Sequence, residues 1–83
     1  MYITVEISYY PLIEQYSGAV QQLLDLLSVS SQISVETGAM STLISGEYET
    51  VMEILQNSLK PLMEKYPSVF VLKIANACKV QDK

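Results

Sequence analysis

A chain of 83 residues, 49% hydrophobic and only 17% charged, makes one small domain, residues 1–83, and such a domain buries only about 60 to 65% of the surface its unfolded chain exposes; the apolar excess therefore predicts self-association to a dimer or tetramer. The formal net charge is −4, arginine, histidine and tryptophan are absent, and the five lysines are scattered as Lys60, Lys65, Lys73, Lys79 and Lys83. This inventory argues against nucleic acid, which needs clustered cations, and against bidentate recognition of anions, and it favours a neutral or cationic small molecule.

Residues 2 to 9 alternate, with Ile3, Val5, Ile7 and Tyr9 on one side and Tyr2, Thr4, Glu6 and Ser8 on the other, which predicts a strand with one apolar face. Pro11 suits the first position of a helix, where its missing amide costs nothing. Ile13, Tyr16, Val20, Leu23, Leu24 and Leu27 then recur at three- and four-residue steps, predicting an amphipathic helix of roughly four to five turns. After a polar break at 28–32, Ile33 to Glu36 reads as a strand, and Thr37-Gly38 as a turn in which glycine takes positive φ. A strand follows over 40–45. Gly46 is expected to release it into a helix whose first turn carries Glu47 and Glu49, the sign the helix dipole prefers there.

Tyr48, Val51, Met52, Leu55, Leu59, Leu62 and Met63 continue that helix's apolar stripe, with Met52 and Met63 assigned to the core. Pro61 predicts a kink rather than a stop, because the stripe survives on both sides. Tyr66-Pro67 ends the helix, and Val69 to Ile74 is a strand so apolar that it should be buried on both faces or covered by a partner. The order strand, helix, strand, strand, helix, strand predicts an α+β, ferredoxin-like βαββαβ sandwich with two helices on one face of a four-stranded antiparallel sheet. The other face, with Tyr2, Thr4, Glu6, Ser8, Val71 and Lys73, is expected to be covered by a second subunit.

Cys78 is the single cysteine, so no internal disulfide forms and the residue reads as a small buried hydrophobe in a reducing compartment. Without histidine the chain offers no ordinary zinc ligand set, and neither a metal nor a cofactor is expected. Met1 to Glu6 shows no secretory pattern and no apolar run reaches spanning length, so the cytoplasm is the expected location. The lone thiol has no base beside it and no carboxylate pair stands out as acid and base; catalysis is not expected.

Three segments carry a resemblance: Val5-Glu6-Ile7-Ser8-Tyr9-Tyr10-Pro11-Leu12; Met40-Ser41-Thr42 followed by Gly46-Glu47-Tyr48; and Leu72-Lys73-Ile74-Ala75-Asn76-Ala77-Cys78. In this order they resemble the YkoF-like thiamine and hydroxymethylpyrimidine (HMP) binding proteins, in the single-domain form. The resemblance implies ferredoxin-like architecture and non-catalytic cytoplasmic binding of thiamine or its pyrimidine precursor, for storage, delivery or sensing, in a homo-oligomer that reproduces the paired arrangement of tandem relatives. Two other readings stand beside it: another small-ligand regulatory module of ferredoxin-like class, for example one sensing amino acids, and a purely structural oligomer subunit.

The candidate ligand-binding residues are Glu6, Ser8, Tyr10, Thr37, Met40, Ser41, Thr42, Glu47 and Asn76. An aminopyrimidine edge pairs a ring-nitrogen acceptor with an amine donor, which the amide of Asn76 or carboxylate of Glu6 can meet together with a hydroxyl such as Thr42. A thiazolium charge favours a carboxylate or the face of Tyr10 or Tyr48. Each has a plainer role: Glu6 as the ion-pair partner of Lys73, Ser41 and Thr42 satisfying backbone groups, Glu47 compensating the helix dipole, Tyr48 packing, Asn76 capping a strand.

Overall fold

The computed structural model describes residues 1–14 and 17–77. They form β1 (Tyr2–Pro11), α1 (Ser17–Leu27), β2 (Ser34–Thr37), β3 (Thr42–Glu47), α2 (Tyr48–Lys65) and β4 (Ser68–Ala75). All strand pairs are antiparallel, in the order β2-β3-β1-β4. This is the expected α+β, ferredoxin-like arrangement. No helix among the described residues is long and apolar enough to cross a membrane.

The register explains which residues make the core. Side chains of directly paired residues project from the same face of a sheet. Ile3 pairs with Gly46, Val5 with both Ile44 and Ile74, and Ile7 with Thr42 and Leu72, so the odd residues of β1 face the helices. Leu23 and Leu27 of α1 and Val51, Ile54, Leu55 and Leu62 of α2 close over Ile3, Val5, Ile7 and Ile44. Tyr9 stacks on Phe70 at the margin, ring centroids 4.3 Å apart.

Several boundaries differ from the sequence reading. Pro11 does not start a helix: it extends β1 opposite Ser68, and the amide of Leu12 donates to the Pro67 carbonyl at 2.8 Å. A strand end tolerates proline, and the ladder to β4 holds the chain extended through Pro11; α1 is described from Ser17 to Leu27, and Tyr16 lies outside the described residues, as does Cys78. Gly38 does not take positive φ; its amide donates to the Ser41 carbonyl at 2.8 Å and closes the turn in ordinary backbone. Pro61 lies inside α2, which continues to Lys65.

Gly46 lies within β3 rather than ending it, because the carbonyl of Met1 accepts the Tyr48 amide at 2.8 Å and the ladder to β1 runs on to Glu47. On the helix-facing side a Cβ at Gly46 would stand 3.0 Å from Cγ2 of Ile33, 3.3 Å from Cγ2 of Val51 and 3.4 Å from the Gln32 carbonyl oxygen. Close approach of Gln32 and Ile33, ahead of β2, and of Val51 on α2 is thus what the glycine permits. Met52 packs half-buried against the core, but Met63 is 55% exposed, on the outward side of α2. β4 is an edge strand: Phe70 and Leu72 turn towards the helices, while Val69 and Val71 are about half exposed.

Candidate functional site

The sheet face away from the helices collects polar side chains because the even residues of β1 point there. Register sets them in rows. Ser34, Ser45, Thr4 and Ala75 cross the four strands in one row, and Glu36, Leu43, Glu6 and Lys73 in the next. In the first, Thr4 and Ser45 are buried and their hydroxyls hydrogen-bond at 3.1 Å. In the second, Glu6 is the pivot: its Oε2 accepts the Ser41 hydroxyl at 3.0 Å, and its Oε1 lies 3.6 Å from Nζ of Lys73.

That asymmetry matters chemically. One carboxylate oxygen is fixed by a partly buried hydroxyl, and the other meets only a longer ion pair to a lysine side chain that is 81% exposed, against 39% for Glu6 itself. Exposed pairs of this kind contribute about 0–1 kcal/mol, so a better-placed donor can take the Lys73 position. An ionised carboxylate only accepts hydrogen bonds. The arrangement therefore suits an N–H donor or a cation, with hydroxyls beside it able to donate or accept.

The other candidates distribute as follows. Ser8 pairs with Val71 and Tyr10 with Val69, so both share the open face with Glu6; Tyr10 is 52% exposed. Thr42 pairs with Ile7 and Thr37, which puts it and Thr37 on the helix-facing side, and Thr42 is buried. Met40 stands exposed in the β2–β3 loop. Glu47 closes β3, where its carboxylate accepts the Met1 ammonium at 3.0 Å; that hydrogen bond and charge hold the ammonium pKa above its ordinary value. Asn76 donates to the Met1 sulfur at 3.7 Å. The face thus unites Glu6, Ser8, Tyr10 and Ser41, with Glu47 and Asn76 gathered around Met1. Ser34, Glu36 and Leu43 join it through strand register, for which a single sequence carries no signal.

A cleft of about 390 Å³ opens on the helix layer, lined by Gln22, Asp25, Leu26, Pro61, Leu62 and Lys65. Its polar groups already engage one another: Lys65 donates to Gln22 at 3.4 Å, and Gln22 donates to the Tyr66 hydroxyl at 3.0 Å. Its lining is otherwise largely apolar and it carries none of the candidate residues, so the open sheet face is the better-equipped site. Among the described residues no group of histidine, cysteine and carboxylate side chains is placed to hold a metal ion.

The profile of the thiamine-binding protein family matches residues 5–80. Among solved structures, a protein of Streptococcus pneumoniae is similar at 18% identity and a TM-score of 0.83, over 99% of this chain and 92% of its own. A candidate thiamine biosynthesis or salvage protein of Thermotoga maritima shares 22% identity at a TM-score of 0.78, over 89% and 82%. A hypothetical protein of Methanocaldococcus jannascii shares 22% at 0.76, over 99% and 84%. At these identities the likeness is one of fold. Among curated proteins no significant sequence match is found.

Proposed function

The chain belongs to the thiamine-binding protein family, and from that premise we propose that it binds thiamine or its hydroxymethylpyrimidine precursor without turning it over, on the open face of the sheet. The observation that carries this reading is the Glu6 carboxylate, anchored through one oxygen by Ser41 and left with a replaceable partner on the other. Glu6 takes the exocyclic amine or the thiazolium charge. Ser41 holds the carboxylate in place, Ser8 supplies a further hydroxyl, and Tyr10 offers an aromatic face worth about 0.5–2 kcal/mol to a cation. Met40 stands in the β2–β3 loop beside Ser41, Glu47 and Asn76 close the opposite end, and Thr37 and Thr42, on the helix-facing side, take no part. The protein acts in the cytoplasm, as a store, carrier or sensor of the ligand.

A homo-oligomer is part of this reading. Tyr10, Val69 and Val71 leave apolar surface on the same face as Glu6, and a charge in a partly enclosed site attracts far more strongly than one in water: at about 4 Å, of order 4 kcal/mol for an effective dielectric near 20 against about 1 in bulk solvent. Isothermal titration calorimetry with thiamine and with hydroxymethylpyrimidine tests the proposal. Saturable heat with either compound is expected; absence of heat from both at millimolar ligand would refute it.

A further inference from the structure

The row that holds Glu6 holds a second carboxylate. Glu36 of β2 pairs with Leu43 of β3, and Leu43 pairs with Glu6 of β1. The two glutamates therefore flank Leu43 on the open face, two strand spacings or about 10 Å apart across the sheet. Leu43 is half-buried between them, an apolar floor with a carboxylate on either side. The neighbouring row has nothing comparable, since Ser34, Ser45 and Thr4 are uncharged.

The two carboxylates are held differently. Glu6 has the Ser41 hydroxyl on one oxygen and Lys73 beside the other. Glu36 is exposed, and among the described residues it makes neither an ion pair nor a side-chain hydrogen bond. An anchored oxygen suits a directional partner, an N–H aimed along a lone pair. An unanchored carboxylate suits a charge spread over a ring, which asks for proximity rather than direction.

We propose that Glu36 is the residue that tells thiamine from its single-ring precursor. This deepens the proposed function and rests on it. Hydroxymethylpyrimidine is a neutral ring whose amine donates to Glu6, and it brings nothing for a second carboxylate. Thiamine carries in addition, one methylene away, a thiazolium ring with a permanent positive charge. With the amine on Glu6, that ring lies over Leu43 between the two carboxylates. Glu6 then acts on both rings and Glu36 on the cation alone. A carboxylate on a short edge strand such as β2 also deters pairing with other chains, but that role leaves ligand affinity untouched.

Calorimetric titration of the full chain with thiamine and with hydroxymethylpyrimidine tests this, using the wild type, Glu36→Gln, Glu36→Lys and Glu53→Gln, with circular dichroism reporting the fold. Glu53 is exposed on α2, on the opposite side of the sheet from the open face, and its replacement removes one negative charge without touching the site. Glu36→Gln is expected to bind thiamine about fivefold more weakly, the size of an exposed charge contact, and to bind hydroxymethylpyrimidine as the wild type does. Glu36→Lys reverses the charge and is expected to weaken thiamine further, again sparing the precursor. Glu53→Gln is expected to match the wild type with both ligands. Should Glu36→Lys lose its sheet signal, the isosteric Glu36→Gln carries the test alone. Unchanged thiamine affinity in Glu36→Gln overturns the role of Glu36 and leaves the proposed function standing, as does a wild type that binds only the precursor. Equal losses for both ligands in Glu36→Gln, or the same loss for thiamine in Glu53→Gln, also overturn it, the first as an effect on the whole face and the second as one of net charge. No heat from the wild type with either ligand refutes the proposed function and this inference together.

Discussion

Gly46→Val is expected to lower the thermal midpoint by on the order of 15 °C. A bare Cβ at this position already approaches Ile33, Val51 and the Gln32 carbonyl at 3.0 to 3.4 Å, and Val51 is fully buried. Two further methyl groups have no free space, so α2 or the Gln32–Ile33 segment moves off the sheet, or side chains leave their rotamers. Overpacking of this kind costs about 1–3 kcal/mol, and in a domain of this size each kcal/mol moves the midpoint by about 4–8 °C. Gly18 is the internal contrast: nothing lies within 4 Å of its would-be Cβ, and it sits in α1, so Gly18→Ala is expected to gain up to about 1 kcal/mol through helix propensity. Differential scanning calorimetry of the two variants checks both signs; an unchanged midpoint for Gly46→Val would show that the packing of Ile33 and Val51 over β3 is not set by this residue.

The second large effect falls on ligand affinity. In Glu6→Gln the amide keeps an acceptor oxygen but loses the charge. A half-exposed carboxylate attracts a cation by less than the roughly 4 kcal/mol of an enclosed pair and more than the roughly 1 kcal/mol of one in water, and about 2 kcal/mol corresponds to a loss of about thirtyfold for thiamine. For hydroxymethylpyrimidine, a neutral ring, the change is from a charged to a neutral hydrogen-bond acceptor, about 1 kcal/mol or fivefold. Folding should survive, because the Glu6–Lys73 pair is largely exposed and such pairs contribute at most about 1 kcal/mol. Equal affinity of wild type and variant for thiamine, by calorimetry, would remove Glu6 from the site.

Much of this was legible in the residues. Alternation in residues 2 to 9 puts Ile3, Val5 and Ile7 in the core and Glu6 on the opposite face, and the ion pair of Glu6 with Lys73, the plainer of the two roles read for Glu6 from charge and its place in the sheet, is present. The element order and the apolar stripe of α2 led directly to the ferredoxin-like sheet. Boundaries were lost where a tertiary ladder overrode a local signal: Pro11 is an acceptable helix start, and only the presence of Ser68 across from it makes it the end of a strand. Gly46 looked like a strand terminator because the steric reason for it, the methyl groups of Ile33 and Val51, is distant in sequence or comes from the next helix.

The division of the candidate site has the same origin. Ser41 and Thr42 are adjacent, and in extended chain adjacent side chains project to opposite sides. Which of the two shares a face with Glu6 depends on the β1–β3 register, fixed by the pairing of Val5 with Ile44 and Glu6 with Leu43. A shift of one residue would have exchanged them. Ser41 therefore reaches Glu6 and Thr42 lies against the helix side.

The central claim is that the ligand sits on the open face around Glu6, and amide chemical-shift mapping during titration of the labelled protein with thiamine tests it most directly. Saturable shifts concentrated at Glu6, Ser8, Ser41, Leu43 and Lys73, with Gln22, Asp25 and Lys65 unmoved, are the predicted result. Shifts concentrated instead in the cleft between α1 and α2, with the residues around Glu6 silent, would contradict it.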